Sequence, residues 1–142
     1  MEGNIDWTKL DTPAMKFARA KEAKKQQVAA ARYTQECGGC EWTKEGQTYT
    51  VSTDRDSRAM LQAAREVAHN SPGFVSSAWK MAGGEFVQLT IADMTEIGLV
   101  MGLHVQSCFD REAELLPLVE AAATQAELDA ITWEETDNAD NS

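Results

Sequence analysis

The most informative part of the chain is His104-Val-Gln-Ser-Cys-Phe-Asp-Arg-Glu-Ala-Glu-Leu-Leu116, because its pattern predicts the centre of a long amphipathic helix. Apolar residues within it and on both sides of it recur at steps of three, four and seven, which is the period of an α-helix. The charged residues Asp110, Glu112 and Glu114 fall off this apolar stripe. We therefore expect one face of the helix to pack on a core and the other to stay in water. The stripe consists of Met94, Ile97, Met101, Val105, Cys108, Leu115 and Val119.

Two more helices are predicted before this one. Thr12-Pro13 is typical of an N-cap followed by proline at the first helical position, and Gly38-Gly39 is typical of a helix end, so the first helix is predicted over 13–36. The second is predicted from Thr53-Asp-Arg-Asp56, which resembles a capping box with Asp in place of Glu, to about His69. Its expected apolar stripe is Met60, Ala63, Ala64 and Val67.

The end of the long helix carries two further signals. Pro117 is expected to kink the helix or to end a segment near Leu116, because proline lacks the backbone N–H that a helix interior needs. Thr124-Gln-Ala-Glu127 is a complete capping box and predicts a short last helix through Ile131.

Residues 40–53 and 76–90 are predicted to form two β-hairpins. The turn sequences Lys44-Glu-Gly-Gln47 and Ala82-Gly-Gly-Glu85 separate runs that contain aromatic and β-branched residues. We therefore predict an α+β fold with the order helix, hairpin, helix, hairpin, long helix. The two hairpins are expected to share one small antiparallel sheet packed by the helices.

A regularity of 37 residues relates the two hairpin regions. Each member of one set recurs at the same offset in the other, which either an internal duplication or convergence on good hairpin and cap residues would produce. The pairs are Trp42 and Trp79, Gly46 and Gly83, Tyr49 and Phe86, Thr53 and Thr90, and Asp56 and Asp93.

The organisation along the chain is predicted to be simple. Residues 1–12 are expected to form an N-terminal arm, residues 13–133 a single α+β domain, and residues 134–142 a disordered acidic tail with few apolar side chains. A chain of 142 residues is long enough to bury a core without disulfides.

The net charge of −10 is unevenly distributed. Residues 1–32 contain seven basic and four acidic residues, whereas residues 33–142 contain six basic and 19 acidic residues. A strongly acidic body repels phosphate backbones, so we expect no nucleic-acid partner, although the basic first helix leaves a weaker option for a nucleic acid or an acidic partner. No apolar run has the length of a membrane span, and the N-terminus lacks the pattern of a secretory signal, so a cytoplasmic protein with no membrane partner is expected.

Residues 28–131 resemble the phage domain family DUF4376. The matching stretches are Ala29-Ala-Ala-Arg-Tyr33, Gly38-Gly39, Thr53-Asp-Arg-Asp-Ser57, Trp79-Lys80, Phe86-Val-Gln-Leu-Thr90, His104–Leu116 and Glu127-Leu-Asp-Ala-Ile131. Two departures stand out: members of the family usually carry aliphatic residues where Cys37 and Cys40 stand, and an alanine-like residue in place of Pro117.

The resemblance implies a non-enzymatic bacteriophage tail-fibre-associated protein with no catalytic residues. Under the leading interpretation it binds a tail-fibre or baseplate protein and assists the folding, trimerisation or attachment of the fibre, in the host cytoplasm during assembly. The alternatives are a structural minor virion protein at the tail fibre or baseplate, which would place it in the virion tail, and an acidic host-directed inhibitor. A homo-oligomer is compatible with each of these.

The sharpest chemical alternative is a zinc site. Cys37-Gly-Gly-Cys40 has zinc-knuckle spacing, and His104 and Cys108 lie four residues apart on one predicted helix face, which together would give a Cys₃His set. Packing explains the helical pair more simply, since cysteine behaves as a small buried hydrophobe. We therefore expect no cofactor.

The candidate partner-binding residues are apolar side chains at the margins of the domain. Trp7, Met15, Phe17 and Trp133 lie outside the resembling body or near its ends. Such side chains either anchor a partner, because aromatic residues dominate interface energetics, or dock on the chain's own core. Both interpretations remain open from the sequence.

Overall fold

The computed structural model describes residues 10–134 and confirms the α+β class. Most of the expected arm, with Trp7, and all but the first residue of the expected tail lie outside the described residues. The elements are α1 (Pro13–Glu36), β1 (Cys40–Lys44), β2 (Gln47–Val51), α2 (Arg55–His69), β3 (Ser77–Lys80), β4 (Phe86–Leu89), α3 (Ile91–Ala121) and α4 (Gln125–Asp129). The order helix, hairpin, helix, hairpin, long helix is the expected one.

The described chain divides into two compact units, one formed by residues up to 31 together with those from 112, the other by residues 32–111. The second unit contains both hairpins, α2 and a core that includes Trp42, Leu61, Leu89 and Ile97. The first unit has a smaller core of Val119, Ala122 and Leu128, against which residues such as Phe17 pack.

The first hairpin closes through a two-residue turn. Lys44 pairs with Gln47, and the intervening Glu45 and Gly46 both have positive φ, of 53° and 79°. Positive φ at both central positions is the geometry that matches the twist of the flanking strands, and glycine adopts it without strain. Trp42 lies opposite Tyr49, with ring centroids 6.0 Å apart.

The expectation of one shared sheet is wrong, because the hairpins form two separate two-stranded sheets, β1–β2 and β3–β4. A single backbone hydrogen bond, from Ala82 N to Thr50 O at 2.9 Å, joins them outside the strand ladders. The side chain of Lys44 also links them, because its Nζ donates to the carbonyl oxygen of Gln88 on β4 at 3.2 Å, and it forms an ion pair with Asp93 in the first turn of α3. These contacts, and not a continuous ladder of strand hydrogen bonds, connect the two hairpins.

The 37-residue offset does not superimpose the hairpins. Trp42 pairs with Tyr49, but Trp79 pairs with Val87, and the residue opposite Phe86 is Lys80. The second hairpin has the longer loop, and this shifts its register. The residues that match in sequence therefore do not hold equivalent places in the two hairpins.

The apolar stripe of α3 is confirmed. Val105 is half-buried, and the other six members are buried: Met94, Ile97, Met101, Cys108, Leu115 and Val119. The helix continues past Leu116 to Ala121 with Pro117 inside it, so the alternative that proline ends the segment is wrong.

Of the stripe predicted for α2, Ala64 packs against the core, but the other three members, Met60, Ala63 and Val67, are exposed. Met60 and Val67 are 62% and 66% exposed, whereas Leu61 and Ala68 are buried. One residue turns a helix by about 100°, so both sets have helical spacing. Contacts with the rest of the unit decide which set faces inward.

The N-terminal caps of α2, α3 and α4 differ from one another. Asp54, not Thr53, caps α2, since its carboxylate accepts a hydrogen bond from Ser57 N at 3.0 Å. At α3 the capping box is complete, with Thr90 Oγ1 accepting from Asp93 N and Asp93 accepting from Thr90 N. At α4, Thr124 caps Glu127 N, while the Glu127 carboxylate accepts from Ala123 N. This last helix ends at Asp129, two residues before the expected Ile131.

Across the described part of the chain, no helix combines the length and the apolar character that crossing a lipid bilayer would take.

Candidate protein-binding surface

The four residues of the hypothetical zinc set occupy structural positions. His104 Nε2 lies 2.8 Å from the carbonyl oxygen of Gln35 and donates to it, since a carbonyl can only accept. The same ring nitrogen lies 3.9 Å from the Cys108 sulfur. Within residues 10–134, no three His, Cys, Asp or Glu side chains are grouped so that they could hold a metal ion.

The environments of Cys40 and Cys108 also disfavour thiolate chemistry. Cys37 and Cys40 are half-buried and Cys108 is buried. Burial raises the pKa of the Cys40 thiol and of the Cys108 thiol, because an apolar environment disfavours the charged form. Protonated thiols are poor nucleophiles and poor metal ligands.

The described candidates for partner binding are placed differently from one another. Phe17 is half-buried and packs against Val119, Ala122 and Leu128, so it contributes to the core of its own unit. Met15, on α1, is 44% exposed. Trp133 is half-buried near the end of the described chain.

A buried carboxylate organises the end of α1. Glu36 is 1% exposed and accepts hydrogen bonds from three arginines: Arg32 Nη1 at 2.6 Å, Arg58 Nη2 at 2.5 Å and Arg55 Nε at 3.1 Å. Thr53 lies beside it, with its hydroxyl donating to the backbone carbonyl of Glu36 at 2.7 Å and accepting from Gly39 N at 2.8 Å. These contacts fasten the end of α1 to the start of α2.

The arginines set the ionisation of Glu36. The hydrogen bond from Arg55 contributes most, and with those from Arg32 and Arg58 it lowers the pKa of Glu36 to about 2, against burial, which raises it. The carboxylate is therefore charged at neutral pH. With both of its oxygens occupied, it holds this junction together and is not available as a general base.

Helix α2 presents an apolar face outward. Met60, Ala63 and Val67 follow one another at helical spacing and are exposed, although each is of a type usually found in a core. The buried face of the same helix is formed by Leu61, Ala64 and Ala68. We call the Met60, Ala63 and Val67 set the outer face of α2.

A second exposed apolar pair lies on α3, where Leu99 and Leu103 are each 63% exposed. At helical spacing these two residues share their face with Glu96, Gln106 and Asp110, so charged and amide groups interrupt it. The outer face of α2 has no such interruption between Met60 and Val67. It is therefore the more coherent candidate surface for protein binding.

Sequence reasoning found these α2 residues but assigned them to the core. The available signal was that α2 carries apolar residues on two adjacent faces, since Met60 and Leu61 are neighbours. A helix with more apolar surface than one core can cover often binds a partner with the remainder. The Glu36 cluster gave no sequence signal, because its arginines are distributed over two helices.

Comparisons with known proteins give a family match. Residues 19–136 match the family described as a domain of unknown function, DUF4376. No curated protein matches the chain, and no solved structure does.

Proposed function

Since this chain belongs to the DUF4376 family, we propose that it is a non-enzymatic, tail-fibre-associated protein of a bacteriophage that binds a fibre polypeptide during assembly. The proposal combines the family resemblance with one observation, the exposed outer face of α2. Flexible methionine and small apolar side chains suit a surface that holds a folding chain, because they adapt to different partner shapes.

We propose no catalytic activity because the reactive side chains are already engaged in structural contacts. His104 is engaged with the Gln35 carbonyl, and the charged Glu36 carboxylate is hydrogen-bonded to three arginines. Nucleophilic catalysis needs a nucleophile and a base within hydrogen-bond reach of each other, with the base free to accept a proton. His104 lies 3.9 Å from the Cys108 sulfur, but that thiol has a raised pKa and the ring nitrogen already donates.

Co-expression with a tail-fibre polypeptide of the same phage tests the proposal. The unaltered protein should raise the yield of soluble trimeric fibre, measured by size-exclusion chromatography with light scattering. A Met60→Gln/Val67→Gln variant should lose most of that gain while keeping its free energy of unfolding within about 0.5 kcal/mol, because both side chains are already exposed.

The matched control removes the same kind of surface from another helix. A Leu99→Gln/Leu103→Gln variant should support fibre assembly as well as the unaltered protein. Loss of activity in this control alone would assign binding to α3, and no gain in trimeric fibre from the unaltered protein would reject the assembly role.

Mass spectrometry of purified virions separates the assembly role from a permanent one. A protein that acts only during assembly should be absent from virions. Stoichiometric peptides would favour a minor structural component at the fibre or baseplate. Recovery with a host enzyme, without any effect on fibres, would favour the acidic inhibitor.

A further inference from the structure

Three cavities follow one another along the side of α2 that faces α3, within the unit formed by residues 32–111. Gln62 lines all three, Arg58 lines the first and second, and Arg65 the second and third. Their volumes are about 370, 270 and 290 Å³. Because the cavities share these side chains, we treat them as one feature, the α2–α3 groove.

The groove concentrates positive charge in an acidic part of the chain. Residues 33–142 contain only six lysines and arginines, and three of them, Arg55, Arg58 and Arg65, line the groove. Glu36 lines the first cavity and Glu66 the third, whereas the central cavity has two arginines and no carboxylate in its lining. The central cavity is therefore the most favourable position for an anion.

Arg65 is available to such an anion. No residue within 10–134 accepts a hydrogen bond from its guanidinium or forms an ion pair with it. Its Nη1 lies over Gly98, 3.5 Å from the place where a Cβ would be. Arg58 is partly committed, since its Nε donates to Thr53 O and its Nη2 to Glu36.

The α3 side of the groove allows close approach of another backbone. Gly98 and Gly102 lie one turn apart on this side, and a Cβ at Gly102 would meet nothing within 4 Å. Beneath them, Leu61 and Met101 belong to the core and are each only 2% exposed, so they close the groove from below. A partner would thus meet two cationic groups beside the open backbone at Gly102.

From this geometry we propose that the α2–α3 groove binds an amphipathic helix of a partner protein that carries two acidic side chains seven residues apart. Arg58 and Arg65 are themselves seven residues apart, about 10 Å along α2, which matches i and i+7 on a second helix. Arginine recognises carboxylates in bidentate geometry, and the open space at Gly98 and Gly102 receives the side chains between the two acids. A nucleic acid fits less well, because the surrounding acidic residues repel its continuous phosphate backbone.

This groove lies on a different side of α2 from Met60 and Val67, and its test does not require a fibre. The probe is a fluorescein-labelled, 18-residue helical peptide with Glu at i and i+7 and Leu at i+3 and i+4. Fluorescence polarisation with the full chain should show saturable binding that weakens as salt is raised. A peptide with Lys in place of both Glu residues should not bind.

Two variants probe the site without disturbing the Glu36 cluster. Arg65→Glu should weaken peptide binding at least tenfold, roughly the loss of one charge-assisted contact and the gain of a repulsive one. Gly102→Leu fills the groove without a change in charge, and leucine favours helix over glycine, so the fold is retained while binding is lost. Lys80→Glu makes the same charge change on β3, outside the groove, and should bind as the unaltered protein does.

Several results would overturn the proposal: no saturable binding of the Glu peptide, equal binding of the Lys peptide, or equal weakening by Lys80→Glu and Arg65→Glu. Sedimentation velocity tests whether a second copy of this chain occupies the groove instead of a partner helix. If the unaltered chain is a dimer that Gly102→Leu converts to a monomer, the groove belongs to a second copy of this protein.

Discussion

At the scale of single residues, buried polar groups determine where the chain turns from α1 into the first hairpin and from that hairpin into α2. Glu36 and Thr53 are both almost completely buried, and each contacts segments distant in sequence. Such groups stabilise a fold only when every partner is present, because an unsatisfied buried group keeps its full desolvation cost.

Replacing Glu36 by Gln should lower the free energy of unfolding at pH 7 by about 3 kcal/mol, because three arginines lose their shared carboxylate. The pKa of Glu36 is lowered to about 2 from an ordinary 4.5. The contribution is therefore complete above about pH 4.5 and is lost as the pH falls towards 2. Urea denaturation between pH 2 and 7 measures both effects.

The Glu36→Gln variant should lack that part of the acid dependence. Glu41→Gln, at an exposed position on β1, is the matched control and should change stability by less than about 0.5 kcal/mol. An equal loss in both variants would contradict the role given to the arginine cluster.

Thr53 should stabilise the fold through the two buried hydrogen bonds of its hydroxyl group and not as a helix cap. Thr53→Val keeps the shape of the side chain but leaves Gly39 N and the Glu36 carbonyl without their partner, which should cost about 1–3 kcal/mol. Asp54→Ala should cost about 1 kcal/mol through loss of the cap, whereas Asp56→Ala should cost less, about 0.3–0.5 kcal/mol, because Asp56 only adds a negative charge to the first turn. Thermal or urea unfolding measures the three variants, and a larger loss for Asp56→Ala than for Asp54→Ala would mean that Thr53 and Asp56 form the capping box.

At the scale of elements, the long helix was predictable and the second helix was not. The stripe from Met94 to Val119 has a single apolar face, so its period alone indicates which side is buried. Helix α2 has two neighbouring apolar faces, and the choice between Leu61 and Met60 depends on what surrounds the helix. The same ambiguity concealed the candidate binding surface, because the spacing of apolar residues does not show which of two apolar helix faces is exposed.

Proline in the interior of α3 should cost stability that alanine would restore. Pro117 lacks the N–H that would donate to the carbonyl of Ala113, one turn earlier. Pro117→Ala should raise the free energy of unfolding by about 1–3 kcal/mol, since residue 117 is exposed and the new methyl group meets no core. A lower thermal midpoint in the variant would mean that the proline fits a bend on which the helix depends.

At the scale of the whole molecule, charge should govern self-association. The net charge is −10 at pH 7, and the isoelectric point is about 4.6. Mutual repulsion keeps copies apart at neutral pH and vanishes near the isoelectric point, where exposed apolar faces can meet. Light scattering between pH 4 and 8 should show association greatest near pH 4.6.

The Met60→Gln/Val67→Gln variant should associate less than the unaltered protein at that pH, with the same net charge. Association that does not depend on pH, or that the variant leaves unchanged, would show that neither the charge nor the outer face of α2 controls it.

The α+β class, the order of the elements and the buried face of the helix centred on His104–Leu116 were predictable from the sequence alone. They follow from local chemistry, because periodicity, turn residues and caps act over a few neighbouring residues. The buried face of α2, the division of the hairpins into two sheets and the contact of three arginines with Glu36 became known only from the tertiary structure. Each of these depends on packing between segments that are distant in the sequence, and the spacing of residues along the chain does not encode such contacts.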